Sequence, residues 1–166
     1  MSNKAFFFDR DGTINVEVGY LYEFDKFTWI EGAVEAIKFC NDNNYLVIVV
    51  TNQSGVARGF YTEDDVIKLH AQINSELEKM GARIDDFYYC PHHPNAAIDK
   101  YKIDCECRKP KSKMIEDACL KYDIDKSKSL MIGDSQRDVQ CAENAGVRGI
   151  LFDGGNLFDV IKSALS

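Results

Sequence analysis

Residues 45–50 read YLVIVV. A run like this offers water neither of its two faces, so as a strand it must be covered on both sides. That requirement restricts the chain to a sheet sandwiched between helices. The rest of the sequence supplies the parts. Short apolar runs recur at Ala5–Phe8, Phe87–Tyr89, Ser129–Ile132 and Gly149–Phe152, and each is separated from the next by a segment of helical spacing. Gly32–Asn43 sets Ala33, Ala36, Ile37 and Cys40 on one face, and the helix after Thr62 does the same with Val66, Leu69, Ile73 and Leu77. Thr62 with Asp65 reads as a capping box in acidic form. Ser112 is placed to cap a helix carrying Ile115, Ala118, Cys119 and Tyr122. Further helices are expected over Ser135–Ala145, ended by Gly146, and over Leu157–Leu165. Strands alternating with helices predict an α/β fold with a doubly wound, mostly parallel sheet.

In such sheets ligands bind beyond the carboxyl ends of the strands, where strand order reverses. Polar residues follow the predicted strands at the required places. The first strand runs into Asp9 and Asp11 (AFFFDRDGTI), the second into Thr51-Asn52 (VVTNQSG) and the fourth into Gly133-Asp134 (IGDSQRD). A carboxylate at a strand end with a second at +2 suits two-step phosphoryl transfer. Asp9 can attack phosphorus directly and form an aspartyl-phosphate. Asp11 can protonate the leaving alkoxide and then deprotonate the hydrolytic water. Two anions repel, so a cation must stand between carboxylate and phosphoryl group, and Asp9 with Asp134 can hold Mg²⁺. Gly12 lets the backbone turn close to the phosphate. Thr51 can hydrogen-bond a transferring oxygen, and a lysine should neutralise another. Asp138, four residues after Asp134, either orients a lysine or a metal-bound water or complements the dipole of its own helix.

Composition narrows the partners. The 166 residues fit one domain, 1–166, with 45% apolar and 28% charged residues. A net charge of −7 argues against nucleic acid and requires that an anionic substrate meet a local basic site. No apolar run reaches the length of a membrane span, and MSNKAFFFDR is too short for a secretory leader. A cytoplasmic protein is expected, and a monomer, since no heptad or exposed apolar stripe stands out.

FDRDGT, VVTNQSG, the RKP at 108–110 and IGDSQRDVQCAENAG together resemble the motif series of the haloacid dehalogenase superfamily of phosphohydrolases. DRDGTIN, the VGY at 18–20, TNQSGVARG and CPHHP followed by CxCRKP are most similar to its heptose-bisphosphate phosphatase branch, with histidinol-phosphate phosphatases as near relatives. The resemblance implies Asp9 as nucleophile, Asp11 as acid/base, and Mg²⁺ held by Asp9, Asp134 and the Asp11 backbone carbonyl. It implies Thr51 and Lys109 on the phosphoryl group. It also implies Arg10, Glu17, Gly19, Tyr20, Asn52, Gln53, Ser54 and Arg108 in contact with substrate. The activity implied is removal of the 7-phosphate of D-glycero-D-manno-heptose 1,7-bisphosphate, with histidinol phosphate as the alternative substrate. A phospho-accepting signalling domain would share the sheet, Mg²⁺ and an aspartate. Such a domain needs its acyl phosphate to persist, and Asp11 is placed to hydrolyse it. One departure concerns specificity: heptose-type relatives often carry a lysine directly after the Asp134 position, and this chain has Ser135.

A second constellation lies in the loop 90–107. Cys90, His92, Cys105 and Cys107 form two close pairs, and three thiolates with one imidazole make a closed tetrahedral Zn²⁺ site. Free cysteines beside an exposed histidine are the alternative. The resemblance favours zinc and selects His92 over His93. Such a clip would fix the base of Arg108 and Lys109, which follow directly. Cys40, Cys119 and Cys141 belong to apolar helix faces, and His70, mid-helix, is expected at a surface or boundary. Some twenty residues between Asp11 and the helix near Gly32 are too few for a cap domain, so an open site is expected.

Overall fold

The computed structural model describes residues 2–166. Five strands form one sheet, β1 (Lys4–Phe8), β2 (Tyr45–Asn52), β3 (Asp86–Cys90), β4 (Leu130–Gly133) and β5 (Arg148–Leu151), in the order β3-β2-β1-β4-β5. Every pairing is parallel. Five helices cover it: α1 (Ala33–Asp42), α2 (Glu63–Lys79), α3 (Lys113–Tyr122), α4 (Gln136–Ala145) and α5 (Leu157–Ala164).

The two-residue period of a strand divides the core in two. Phe6, Phe8, Val47, Val49, Leu130 and Ile132 face α1, α2 and α5, whereas Ala5, Phe7, Ile48, Val50 and Met131 face α3 and α4. All three phenylalanines of β1 are 0% exposed. Each fully buried side chain of this kind contributes about 1.5–3 kcal/mol. β1 pairs with both β2 and β4, and strand order reverses there.

The helix ends follow from local chemistry. Thr62 and Asp65 complete the capping box of α2, with Asp65 N–H donating to Thr62 Oγ1 at 3.1 Å and Thr62 N–H to Asp65 Oδ2 at 2.9 Å. At the start of α4, Asp138 Oδ2 accepts from Ser135 N–H at 3.2 Å and from the Ser135 hydroxyl at 3.3 Å, and Gly146 ends the helix in a left-handed conformation. Ser112 stands at the N-cap of α3, but its side chain makes no capping hydrogen bond.

Two long connections cross the carboxyl edge of the sheet. Between β1 and α1 the chain doubles back on itself: Val16 N–H donates to Thr28 O and Ile30 N–H to Ile14 O. The loop after β3 contains only a single 3-10 turn, Asp99–Tyr101. Neither connection builds a large cap over the sheet. No helix among the described residues is long and apolar enough to cross a membrane.

Candidate active site

The carboxyl ends of β1, β2 and β4 deliver their polar residues to one cavity of about 180 Å³. Asp9, Asp11, Thr51, Asn52, Lys109, Asp134 and Asp138 all line it. Asp9 extends β1 by one residue, its N–H donating to Ile132 O at 3.0 Å, so its carboxylate is aimed by the sheet itself. Thr51 and Asn52 are the last residues of β2, and Asp134 follows the last residue of β4.

Lys109 enters from the loop and is 3% exposed. Its Nζ donates to Asp9 Oδ1 at 2.7 Å, Asp138 Oδ1 at 2.6 Å and Val50 O at 3.0 Å. Burial works against the ammonium, but Asp9 and Asp138 outweigh it and hold its pKa above the usual lysine range. Burial also pushes the Asp9 carboxyl up, and Lys109 pulls it back toward the ionised form. Asp138 therefore has two tasks. One oxygen orients Lys109, and the other accepts from Ser135 N–H at 3.2 Å in the α4 cap. Asn52 fixes the Lys109 backbone from β2: Lys109 N–H donates to Asn52 Oδ1 at 2.9 Å, and Asn52 Nδ2 returns to Lys109 O at 3.3 Å.

Asp11 sits among donors. Its Oδ1 accepts from Arg10 Nε at 3.1 Å, Arg10 Nη2 at 3.0 Å and Asn15 Nδ2 at 3.0 Å. Its Oδ2 accepts from Arg10 Nη2 and Gln53 Nε2, both at 3.1 Å. Gln53 is held in turn by Tyr61, whose hydroxyl donates to Gln53 Oε1 at 2.6 Å.

The donor set suits a hard divalent cation. Carboxylate oxygens of Asp9, Asp134 and Asp138 lie within 4.8 Å of one another. Both Asp138 oxygens are engaged, one by Lys109 and one by Ser135, whereas among the described residues Asp9 has only Oδ1 engaged, so Asp9 and Asp134 are the pair left for a metal. Gly12, at φ +86°, closes the other side: a Cβ there would stand 2.0 Å from Asp134 Oδ2. No residue with a side chain fits that cradle.

A second cavity of about 450 Å³ adjoins the first and shares Asp11, Glu17, Asn52 and Arg137 with it. Gly19, Tyr20, Gln53, Ser54, Tyr61 and Arg108 complete its walls. Tyr20 adopts φ +50°, a conformation that costs a non-glycine residue energy, and rests edge-on against Phe60 with ring centroids 4.7 Å apart. Arg108 Nη1 is buried with no hydrogen-bond partner among the described residues. Burial, then the neighbouring guanidiniums of Arg137 and Arg58, hold Arg108 below the usual arginine range. An acidic chain thus keeps a compact basic wall where an anion would be received.

The residues named from sequence meet here with one exception. Arg10, expected against substrate, is 1% exposed and lines neither cavity. A buried guanidinium needs partners for its donors, and Arg10 finds them in Asp11, His70 and Leu21 O. His70 is 5% exposed, buried rather than at the expected boundary. Arg137 and Tyr61 were not anticipated. The one local hint of Arg137 is its position as the second residue of α4, three after Asp134.

Beside this site, Cys90, His92, Cys105 and Cys107 place their ligand atoms within 4.8 Å of one another. Sγ–Sγ separations of 3.0–3.3 Å are far too long for a disulfide, and His92 Nδ1 is 3.4 Å from Cys107 Sγ. Hydrogen bonding with Cys90, then with Cys105 and His92, lowers the Cys107 thiol to about 5 against the effect of burial. Three thiols gathered with one imidazole fit a closed, thiolate-preferring metal. His93 stands apart, its Nδ1 accepting from Asn95 N–H at 3.0 Å. Cys40, Cys119 and Cys141 are buried in the helix-facing cores.

Known proteins share both the sequence and the arrangement. A HAD-hydrolase-like family model matches residues 106–158. The D-glycero-beta-D-manno-heptose-1,7-bisphosphate 7-phosphatase of Rhodopseudomonas palustris is 43% identical over 161 residues, spanning 97% of this chain and 89% of that protein. The alpha-anomer enzyme of Burkholderia mallei is 42% identical over 147 residues, 89% of this chain and 78% of that protein. Among solved structures, the D,D-heptose 1,7-bisphosphate phosphatase of B. bronchiseptica, complexed with magnesium and phosphate, is 32% identical and superposes with a TM-score of 0.81 over 96% of this chain and 86% of that one.

Proposed function

The chain belongs to the heptose-1,7-bisphosphate 7-phosphatase family of haloacid dehalogenase-like hydrolases, and from that membership we propose that it removes the 7-phosphate of D-glycero-D-manno-heptose 1,7-bisphosphate. The observation that carries this reading is the placement of Asp9, Asp11, Asp134 and Lys109 around one cavity, with a larger cavity alongside that carries Arg108 and Arg137 for the rest of a sugar bisphosphate.

In this reading Asp9 is the nucleophile. One of its oxygens bonds to phosphorus as the P–O bond to the sugar breaks. Asp11 gives its proton to the departing alkoxide, then takes a proton from the water that cleaves the aspartyl-phosphate. Lys109 and Thr51 stabilise charge on the transferring oxygens. Asp9, Asp134 and the Asp11 carbonyl would hold Mg²⁺, whose charge would offset that of the phosphoryl group as a carboxylate approaches it. Glu17, Gly19, Tyr20, Asn52, Gln53, Ser54 and Arg108 bind the sugar and its second phosphate. Zn²⁺ on Cys90, His92, Cys105 and Cys107 is structural and fixes the root of Arg108 and Lys109. A site built from free thiols belongs in a reducing compartment, which supports a cytoplasmic enzyme.

Relatives act on either anomer, so the test sets substrates side by side. Phosphate release is measured with Mg²⁺ from both heptose bisphosphate anomers and from histidinol phosphate. Preference for one heptose anomer supports the proposal. Preference for histidinol phosphate, or no turnover of any of the three, overturns it.

A further inference from the structure

Arg10 is among the largest fully buried side chains in the protein, and a buried guanidinium is oriented by whatever accepts its hydrogen bonds. On one side its Nε and Nη2 grip Asp11. On the other, Nη1 lies 3.1 Å from His70 Nε2, sixty residues away on α2. Arginine only donates, so Nε2 must be the unprotonated acceptor and the ring proton sits on Nδ1. The His70 ring is itself fixed, stacked on Phe87 of β3 at 4.3 Å between centroids and 13° between planes. Burial and the Arg10 charge both lower the pKa of His70, which keeps the ring neutral and accepting.

We propose that His70 is a positioning residue for Asp11, acting through Arg10. It holds the guanidinium in the plane that presents Asp11 to the leaving oxygen. The inference rests on Asp11 being the proton donor to the leaving group. Without an acceptor at Nη1 the guanidinium keeps only Asp11 and Leu21 O, so its plane is held less firmly and the Asp11 carboxylate shifts with it. Small displacements of a proton donor cost rate steeply. Only the step that needs that proton should suffer.

The test compares leaving groups in the full-length, Mg²⁺-loaded enzyme. His70→Phe keeps a ring on Phe87 but removes the acceptor, and His70→Gln offers an amide oxygen in its place. The readout is kcat/KM, which reports the steps through loss of the alcohol. For a sugar phosphate, whose alkoxide needs a proton, His70→Phe should lower kcat/KM on the order of tenfold. For p-nitrophenyl phosphate, whose phenolate leaves unaided, the value should stay within about twofold by the same reasoning. His70→Gln should recover most of the loss. Arg10→Lys keeps a buried cation but cannot span from His70 to Asp11, and it should show the same dependence on leaving group even if the Phe variant does not fold. Equal losses on both esters, or no loss on either, overturn the proposal. Asp11→Asn is the control that separates two failures. If it too loses equally on both esters, the proton-transfer role of Asp11 is wrong. If it discriminates and the His70 variants do not, only the role of His70 is wrong.

Discussion

The ammonium of Lys109 lies 2.7 Å from Asp9 Oδ1, although the two residues are one hundred positions apart and both are buried. Each needs the other. Asp9 loses the charge that favours its ionised form if Lys109 is removed, and Asp138 is left as a second buried carboxylate without its cation. Lys109→Met should therefore destabilise the fold by about 3–5 kcal/mol, the usual result of breaking a buried pair. Turnover by the protein that remains folded should fall roughly 10²–10³-fold. Urea denaturation and phosphate release on the same preparation check both.

The two aspartates of DRDGT should fail differently. Asp9→Asn removes the nucleophile, so turnover should vanish, while Lys109 keeps Asp138 as its partner and the protein should still fold. Asp11→Asn should slow turnover by about 10²–10⁴-fold and let a phosphorylated protein accumulate. Intact-protein mass spectrometry after acid quench reads that species directly. Normal turnover by Asp9→Asn would end the nucleophile assignment.

Gly12→Ala places a methyl against Asp134 Oδ2 at a backbone angle of +86°. The angle alone costs about 1–2 kcal/mol. The collision should in addition raise the Mg²⁺ concentration needed for half-maximal activity. Gly154→Ala, at φ +107° with nothing within 4 Å, is the control and should lose stability only. An unchanged Mg²⁺ requirement in Gly12→Ala would show that Asp134 does not hold the metal.

Cys107→Ser should lower bound zinc, measured by elemental analysis of the purified protein, and should lower turnover with it. Asp134→Asn should lower turnover and leave zinc in place. Full activity in zinc-free Cys107→Ser would exclude a role for the cluster in placing Lys109.

Acid stability should report His70. Its pKa is depressed in the folded state, whereas the unfolded chain titrates near 6.5. Below that value the unfolded chain binds a proton that the folded protein refuses. Stability should thus decline as pH falls from about 6.5 toward the folded-state value, by up to roughly 1.4 kcal/mol per pH unit, and this group should contribute nothing above about pH 7.5. Urea melts of parent and His70→Gln between those limits check it, with the variant expected to show the shallower acid decline.

The sheet was legible because YLVIVV, dense in β-branched residues, reads as a central strand covered on both faces. The carboxylates were legible because the strand-end rule applies to each motif separately. Gly12 and the Cys90–Cys107 loop carried their own spacing. Arg10 was placed against substrate by the family resemblance, and nothing local in the sequence reveals the buried histidine, sixty residues away, that engages it. Ser112 reads as a cap from its neighbours, but its hydroxyl does not bond the helix end. Arg137 was hidden because only the assembled wall of the second cavity brings it near Arg108. What depended on one segment could be read; what depended on two packed together could not.

Cys90 is both the last residue of β3 and a member of the thiol–imidazole cluster, and Cys107 stands two residues before Lys109. The span between His92 and Cys105 therefore begins and ends at one knot bolted to the sheet. Its length is insulated from the geometry of Lys109. Residues can be inserted or lost there while the lysine keeps its register with Asp9. The loop can vary in length without renegotiating the chemistry.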